Sequence, residues 1–406
     1  MIKTIITTLL LNTILLASFN GQVLDENTLK PIPNVTISDS KHSIKSDNNG
    51  DFQIKSAEKR YFVKAYGYRP YNFSEDSNKT TILLESINVK ALYLTFWGAS
   101  VNSKTLKKII NIIDKTKVNA IIVDIKNEYG STSYKTSFKQ ANSYGADKQR
   151  TNRNIQAFIK LMKEKHIYTI ARIVTFKDEL QASHNPSYAI RDKNGHIWRN
   201  HDKMAWVDPY NKKSHNYAIS IAEEAAKVGF DEINFDYIRF PAKRGLQFCK
   251  KNTQKNRIKA IGSFLKSAQN RLRKYGVFIS VDTYGNICWS KDDTGIGQTV
   301  ESLAKYADYL APMLYPSGFA RGSFNVKHPS EHPYIVIYRS IKNIKGRIDT
   351  KRIRPWLQHF RDYTYKKRHY RKFEITQQIK ASNDINTSGW MMWSPSSKYN
   401  INYYKK

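Results

Sequence analysis

From Val89 onward, apolar segments of strand length alternate with amphipathic segments of helical length, in units of roughly 30–50 residues. This alternation is typical of parallel α/β proteins, in which a helix connects each strand to the next. Eight segments are predicted to be strands, which favours a closed (β/α)8 TIM barrel over an open sheet. They are Ala91–Phe96, Ala120–Ile125, Tyr168–Val174, Glu232–Tyr237, Val277–Asp282, Tyr309–Leu314, Ile353–Gln358 and Gly389–Trp393.

One further segment, Pro333–Tyr338, also has the composition of a strand. Counting it among the strands would change the number expected for a barrel. We therefore predict that it lies in an insertion before the seventh strand.

The chain before the barrel has a different pattern. Lys3 followed by the apolar run Ile5–Ala17 predicts a secretory signal peptide over residues 1–18, because the run is too short to span a bilayer. An uncleaved anchor is the alternative. Residues 19–87 contain short strands separated by Gly, Pro, Asn and Asp, which predicts a small β-sandwich, and residues 88–406 form the barrel. We therefore expect an exported protein, periplasmic or secreted, with no transmembrane helix in the mature chain.

The charge balance indicates which partners the chain attracts. It has 67 Lys and Arg residues against 34 Asp and Glu, a net charge of +33 that would concentrate polyanions at the surface. The basic residues are scattered and no nucleic-acid-binding motif is present, so an acidic polysaccharide or envelope lipid is favoured over nucleic acid. The two cysteines, Cys249 and Cys288, fit one disulfide or two free thiols equally well.

The segment Asp231–Pro241, DEINFDYIRFP, carries the clearest sign of chemistry. As a strand it places its apolar side chains on one face and Asn234 and Asp236 on the other. Asp236 and then Arg239 emerge where the strand ends, and in parallel α/β proteins active sites form at that end of the strands. Asp236 is therefore the first candidate for catalysis.

Other strand ends of the predicted barrel carry similar residues. Carboxylates, arginines and aromatic rings on one rim suit a sugar site, because acids transfer protons and flat rings stack on pyranose faces. The substrate-binding candidates at these ends and on the long loop after the third strand are Asp124, Arg172, Trp206, Arg239, Tyr315, Gln358 and Trp393.

Cleavage of a glycosidic bond requires one carboxylic acid as proton donor and a second carboxylate as nucleophile or base. Asp236 and Asp282 follow neighbouring strands and can face each other. We assign Asp236 as nucleophile or base, since Arg172 or Arg239 would keep it ionised. Asp282 is then the donor, with Asp124 as the alternative donor. A structural alternative is that Asp236 only forms a salt bridge with one of these arginines.

No sequence feature requires a metal or a cofactor, and none is predicted, although the rim acids Asp124 and Glu128 could hold calcium. His184, His196 and His201 share one predicted loop, but their spacing matches no metal-binding pair on a helix face. No glycine-rich phosphate-binding loop ending in Lys-Ser or Lys-Thr is present, so a nucleotide-dependent enzyme is not expected.

Two resemblances cover most of the chain. The segment from Gly21 to Tyr68 resembles the carboxypeptidase regulatory-like domains, which are accessory modules. The barrel region contains a second set of recognisable elements, namely Ile170–Asp178, Trp206–Pro209, Phe235–Pro241, Asp282–Gly285 and Pro312–Ser317. Through these elements the chain resembles, from about Val89 to Tyr399, a bacterial family of predicted glycoside hydrolases with a TIM-barrel domain, catalogued as of unknown function.

This second resemblance implies a (β/α)8 barrel distantly similar to the α-amylase type, with an acidic nucleophile after strand four. The α-amylase type has a glutamate as acid after strand five, where this chain has Asp282. The leading hypothesis is an exported hydrolase of an envelope or extracellular polysaccharide. The alternatives are a non-catalytic glycan-binding barrel and an adhesin that binds through charge alone.

Overall fold

The computed structural model describes residues 17–56, 58–74 and 80–405. The predicted signal peptide lies almost entirely outside these residues and stays a prediction. The first described strand begins at Ala17.

The N-terminal part consists of two small sheets. Their strands are β1 (Ala17–Asp25), β2 (Thr36–Ser38), β3 (Ser43–Lys45), β4 (Asp51–Ser56), β5 (Arg60–Lys64), β6 (Tyr71–Ser74) and β7 (Thr81–Leu84). One sheet has the order β4-β1-β7 and the other β3-β2-β5-β6. Alternation along the strands fills the space between the sheets: in β7, Ile82 and Leu84 are buried while Thr81 and Leu83 are exposed. The predicted β-sandwich is thus present.

The rest of the described chain is a closed barrel of eight parallel strands, as predicted. These are β8 (Val89–Leu94), β9 (Ala120–Lys126), β10 (Tyr168–Val174), β11 (Glu232–Asp236), β12 (Phe278–Tyr284), β13 (Tyr309–Met313), β14 (Trp356–Gln358) and β15 (Gly389–Trp393). The strands follow one another around the barrel in chain order, and β15 pairs with β8 to close it. Every residue of β9 and β10 is buried, which is why these strands are almost continuously apolar.

Helices surround the barrel: α1 (Lys104–Lys115), α2 (Lys139–Ser143), α3 (Ile155–Glu164), α4 (Glu179–His184), α5 (Lys212–Val228), α6 (Gln254–Leu272), α7 (Val300–Ala304), α8 (Pro333–Ile344) and α9 (Lys372–Asp384). Side-chain caps fix several of their starts. Ser103 accepts a hydrogen bond from Leu106 N at the start of α1, and Thr253 does the same for Asn256 N at α6. Their apolar faces pack against the outer side chains of the strands.

The strand-like composition of Pro333–Tyr338 was misleading, because this segment begins helix α8. Pro333 occupies the first helical turn, where a missing N–H costs nothing and the fixed φ suits a helix. Val336, Ile337, Ile341 and Ile344 are buried at helical spacing along the same element. The segment does lie before the seventh strand, as expected.

The two domains contact each other at the amino end of the barrel strands. Lys64 Nζ of the sandwich lies 2.9 Å from Asp308 Oδ2, directly before β13. The Gly67 N–H donates to the Tyr309 hydroxyl at 3.2 Å, and the ring of Tyr66 meets that of Tyr309 at 5.8 Å. The sandwich therefore covers the end of the barrel opposite to the one where barrel enzymes carry their sites.

Cys249 is exposed and Cys288 is buried, and both are free thiols. Of the two possibilities that the sequence left open, the structure has the unpaired one. No helix in the part of the chain that the structure describes is long and apolar enough to cross a membrane.

The domain contact can be tested at Gly276, which has a φ of +69° and lies against Phe62 of the sandwich. A Cβ at this glycine would stand 2.4 Å from the Phe62 ring. Gly276→Ala should lower the free energy of unfolding by about 1–2 kcal/mol through the left-handed backbone and by about a further 1–3 kcal/mol through overpacking. Calorimetric unfolding measures both effects together.

Gly346→Ala is the matched control, because Gly346 has a φ of +96° and a Cβ there would meet nothing within 4 Å. Its loss of stability should be limited to the backbone contribution. Equal losses in the two variants would mean that the sandwich does not pack on the barrel at Gly276 in solution.

Candidate active site

A cavity of about 280 Å³ lies at the carboxyl end of the barrel strands. Side chains from seven strands or the turns after them form its wall, and most of them are charged or aromatic. They are Glu128, Arg172, Asp236, Tyr237, Arg239, Asp282, Tyr284, Met313, Tyr315, Trp356 and Trp393. Six of the nine residues predicted from the sequence are therefore brought together here, namely Arg172, Asp236, Arg239, Asp282, Tyr315 and Trp393.

The buried guanidinium of Arg172, on β10, is the centre of the site. Its Nη1 lies 2.6 Å from Asp124 Oδ1, its Nη2 3.4 Å from Glu128 Oε1, and its Nε 3.1 Å from Asp236 Oδ2, which Nη2 also contacts. Asp282 Oδ2 is 3.9 Å from the same Nε. Burial opposes a positive charge, but the surrounding carboxylates outweigh it and raise the pKa of Arg172 well above its usual value.

Asp236 ends β11 and lies beside the cavity with an 11% exposed side chain. Its Oδ2 binds Arg172, and its Oδ1 accepts a hydrogen bond from the backbone N–H of Tyr237 at 2.5 Å. Tyr237 itself has a φ of +49°, a left-handed conformation that is unfavourable for an aromatic residue. The predicted ion pair of Asp236 thus exists, and its partner is Arg172 rather than Arg239.

Asp282, on β12, is more enclosed, with a 2% exposed side chain. Its Oδ1 accepts hydrogen bonds from Asn234 Nδ2 at 2.8 Å and from Trp356 Nε1 at 2.7 Å. Burial, followed by the negative charge of Asp236, raises the pKa of Asp282 well above its ordinary value, although Arg172 opposes this. Since Oδ1 already accepts two hydrogen bonds, Oδ2 is the oxygen that is free to carry a proton.

Asp124, the alternative donor, lies behind Arg172 and does not line the cavity. Its two oxygens are occupied by Arg172 and by the Tyr93 hydroxyl, which donates at 2.5 Å. Burial raises the pKa of Asp124 to about 6. Its contacts make Asp124 a positioning residue for the guanidinium.

Two further substrate-binding candidates also lie away from the cavity wall. Trp206 is buried, and Arg239 lies over its ring at 4.9 Å, so it supports that arginine from behind. The side-chain amide of Gln358 is engaged by Ser317, whose N–H donates to Oε1 at 3.1 Å and whose Oγ accepts from Nε2 at 2.7 Å. This amide fastens the turn after β13 to the end of β14.

The sequence interpretation missed Trp356 as a cavity residue. Trp356 lies two positions before Gln358 on β14, so the period of two in strands was the signal that could have found it. Glu128 follows β9 and lines the cavity, as expected of an acid at the end of the second barrel strand, but its contact with Arg172 has no sequence signal. Burial would raise the pKa of Glu128, but the charge of Arg172, a backbone hydrogen bond and the charge of Lys177 together lower it.

The carboxyl groups of the site differ in acidity, because the pKa values of Asp124 and Asp282 are raised and that of Glu128 is lowered. Such a set of carboxyl groups can transfer protons.

No group of three or more His, Cys, Asp and Glu side chains suited to a metal ion occurs within residues 17–56, 58–74 and 80–405. The long loop after β10 that carries His184, His196 and His201 folds into α4 and short paired segments.

The chain is similar to proteins of known structure. The glycoside hydrolase domain of PgaB (BpsB) from Bordetella bronchiseptica is 12% identical, covers 76% of this chain and 94% of its own, and superposes with a TM-score of 0.51. A hypothetical protein from Ruminiclostridium thermocellum ATCC 27405 is 35% identical over 47% of this chain and 96% of its own, with a TM-score of 0.43. None of the curated proteins compared with the chain matches it.

Residues 91–399 match the model of the family DUF4015, described as "Putative glycosyl hydrolase domain". This range includes the barrel strands from Ala91 onward and every residue that lines the cavity. It also agrees with the range over which the sequence resembled such a family. Because the match spans well over half of the 406 residues, the protein belongs to this family of glycosyl hydrolase domains.

Proposed function

We propose that the protein is an exported glycoside hydrolase that cleaves an envelope or extracellular polysaccharide with Asp236 and Asp282. The observation that carries the proposal is that both carboxyl groups line one cavity and approach the same Arg172 Nε, at 3.1 and 3.9 Å. Asp236 is the one held against the cation, while burial and its neighbour favour the protonated form of Asp282. A base and an acid are thereby placed side by side.

In the proposed reaction, the proton on Asp282 moves to the glycosidic oxygen while the bond from that oxygen to the anomeric carbon breaks. Asp236 either attacks the anomeric carbon to form an ester that water then hydrolyses, or takes a proton from the attacking water. In the first route Asp282 recovers its proton from the water that hydrolyses the ester. In the second route Asp282 is left ionised and Asp236 protonated, and exchange of protons with solvent restores both groups. Each route consumes one water molecule and releases one new reducing end.

The aromatic residues of the cavity suit a sugar. Tyr315 and Trp393 offer ring surface to a pyranose, and the Trp393 ring is oriented by Tyr93 at 4.0 Å and by Arg172 at 5.2 Å between centres. Export is supported by the predicted signal peptide, and an acidic polysaccharide by the net charge of +33.

The two carboxyl groups can be distinguished by substitution. Asp236→Asn should reduce turnover at least about 10³-fold on any substrate that the wild type cleaves, because the attacking or activating charge is lost. Asp282→Asn should be as damaging on the polysaccharide, but far less so on an aryl glycoside of the released sugar, whose leaving group needs no proton. Release of reducing ends and of the aryl alcohol measures the two rates.

The Asn at position 282 can still accept from Asn234 and Trp356, so this variant imitates the protonated acid and should fold normally. Turnover that is unchanged in Asp236→Asn would reject the proposed mechanism. Tight binding of a glycan with no turnover by the wild type would favour the non-catalytic glycan-binding barrel.

The pH profile tests the role of Asp282 as the acid. The active form carries the proton, so kcat/KM should fall as pH rises through the elevated pKa of Asp282. Trp356→Phe removes a hydrogen bond that favours the ionised carboxylate, which should raise this pKa further and move the alkaline limb to higher pH. Trp393→Phe, which leaves that hydrogen bond in place, should not move the limb. A limb displaced to lower pH by Trp356→Phe would contradict the assignment.

A further inference from the structure

Arg239 is partly enclosed by aromatic rings. Its guanidinium carbon lies 4.6 Å from the ring centre of Tyr284, 4.9 Å from that of Trp206 and 5.2 Å from that of Tyr237. Its one described hydrogen bond runs from Nη1 to the backbone oxygen of Phe240 at 3.1 Å. Among the described residues it forms no ion pair.

Three other arginines of the barrel domain illustrate pairing with a carboxylate. Arg172, Arg257 and Arg354 each hold a carboxylate at 3.1 Å or closer, namely those of Asp236, Asp293 and Glu232. Partly enclosing a cation costs free energy that such a partner normally offsets. Arg239 has three aromatic faces instead, which stabilise the charge and leave the N–H groups at the edge of the guanidinium without a carboxylate.

Arg239 also lines the cavity that contains Asp236 and Asp282. Aromatic rings fix the plane of the guanidinium, and a fixed planar fork matches an oxyanion with two parallel hydrogen bonds. We propose that Arg239 binds an anionic group of the glycan beside the cleaved bond, so that the substrate is an acidic polysaccharide. This inference rests on the proposed function of the same cavity.

A second cavity is also lined by cations and aromatic rings. It measures about 750 Å³ and begins at His359 and Ser394, the residues that follow β14 and β15. Its wall includes Arg361, Arg371 and Lys398, and none of the described residues that form it is an Asp or a Glu. We call it the basic groove.

The basic groove adjoins the catalytic cavity. The ring of Phe360, in the groove wall, meets the ring of Tyr315, in the cavity wall, at 5.3 Å. Tyr399 and Tyr403 add further ring surface along the groove. A glycan chain leaving the cavity past Tyr315 would therefore pass aromatic rings and cations, as a polymer with repeated negative charges requires.

A binding experiment can distinguish specific recognition of an anionic glycan by Arg239 from general attraction by the net positive charge. Asp236→Asn protein, which can bind without turnover, is titrated at 0.15 and 0.5 M salt with oligogalacturonate, oligoalginate, chondroitin sulfate oligosaccharides and poly(glycerol phosphate). The carboxyl-reduced form of each uronate serves as its neutral counterpart. Each of three further substitutions, Arg239→Gln, Arg239→Lys and Arg244→Gln, is combined with Asp236→Asn. Arg244→Gln is the matched control, because Arg244 is an exposed arginine on the same loop and outside both cavities.

At least one anionic oligosaccharide should bind, and Arg239→Gln should weaken it about 10–100-fold, the range for the loss of a charged hydrogen bond. Arg239→Lys keeps the charge without the planar fork and should bind at an intermediate level. Arg244→Gln should change affinity less than about 2-fold at 0.5 M salt, where non-specific attraction is screened. Joint replacement of Arg361 and Lys398 by Gln should weaken hexamers more than dimers.

Equal losses in Arg239→Gln and Arg244→Gln would overturn the inference, as would neutral oligosaccharides that bind as tightly as the anionic ones. So would the absence of Arg239-dependent binding to every anionic probe. The wild type is assayed in parallel for new reducing ends. Arg239-dependent binding without release would leave the inference standing and reject the hydrolase. Release of reducing ends from neutral glycans, at a rate that Arg239→Gln does not change, would support the hydrolase and reject the inference.

Discussion

The guanidinium of Arg172 organises the carboxyl end of the barrel. A buried cation is costly unless it is paired, and four carboxyl groups, those of Asp124, Glu128, Asp236 and Asp282, lie within 3.9 Å of its nitrogens. One positive charge cannot balance four negative ones in an enclosed site. Burial, and then the negative charge of Asp236, raises the pKa of Asp282 well above its ordinary value, and burial raises the pKa of Asp124 to about 6. Burial and an excess of acid around a single cation thus favour a carboxylic acid next to a carboxylate.

This arrangement depends on strand register. Arg172 lies opposite Asp124 on β9 and opposite Asn234 on β11, which places Asp236 two residues farther along β11, opposite Val174. A shift of one residue would turn Asn234 and Asp236 away from the interior. The apolar interior below the site, including Ile122, Ile170 and Phe278, therefore supports the chemistry by fixing which side chains face inward.

The sequence predicted the barrel because the length of the apolar runs and their alternation with helical segments both indicate parallel strands. The strands Tyr168–Val174 and Gly389–Trp393 have the predicted bounds in the structure. It failed for Pro333–Tyr338, where a short apolar run fits a strand or a helix equally well. The presence of Asp236 and Asp282 in one cavity could be predicted from their positions at strand ends. Which way a strand-end side chain turns depends on its neighbours, so Gln358 was expected in the cavity that Trp356 lines instead.

A buried ion pair by itself does not identify the functional end of this barrel. The amino end has one too: Arg354 Nη1 lies 2.6 Å from Glu232 Oε2, with side chains 2% and 0% exposed, and Tyr168 donates to the same oxygen at 2.9 Å. There one cation meets one carboxylate, and the sandwich packs nearby on Tyr309. At the carboxyl end, acids outnumber the cation and the group faces a cavity. Burial of charge is common to both ends of the barrel. A site that can transfer a proton differs from a structural ion pair because its acids outnumber its cation and because it is accessible from a cavity.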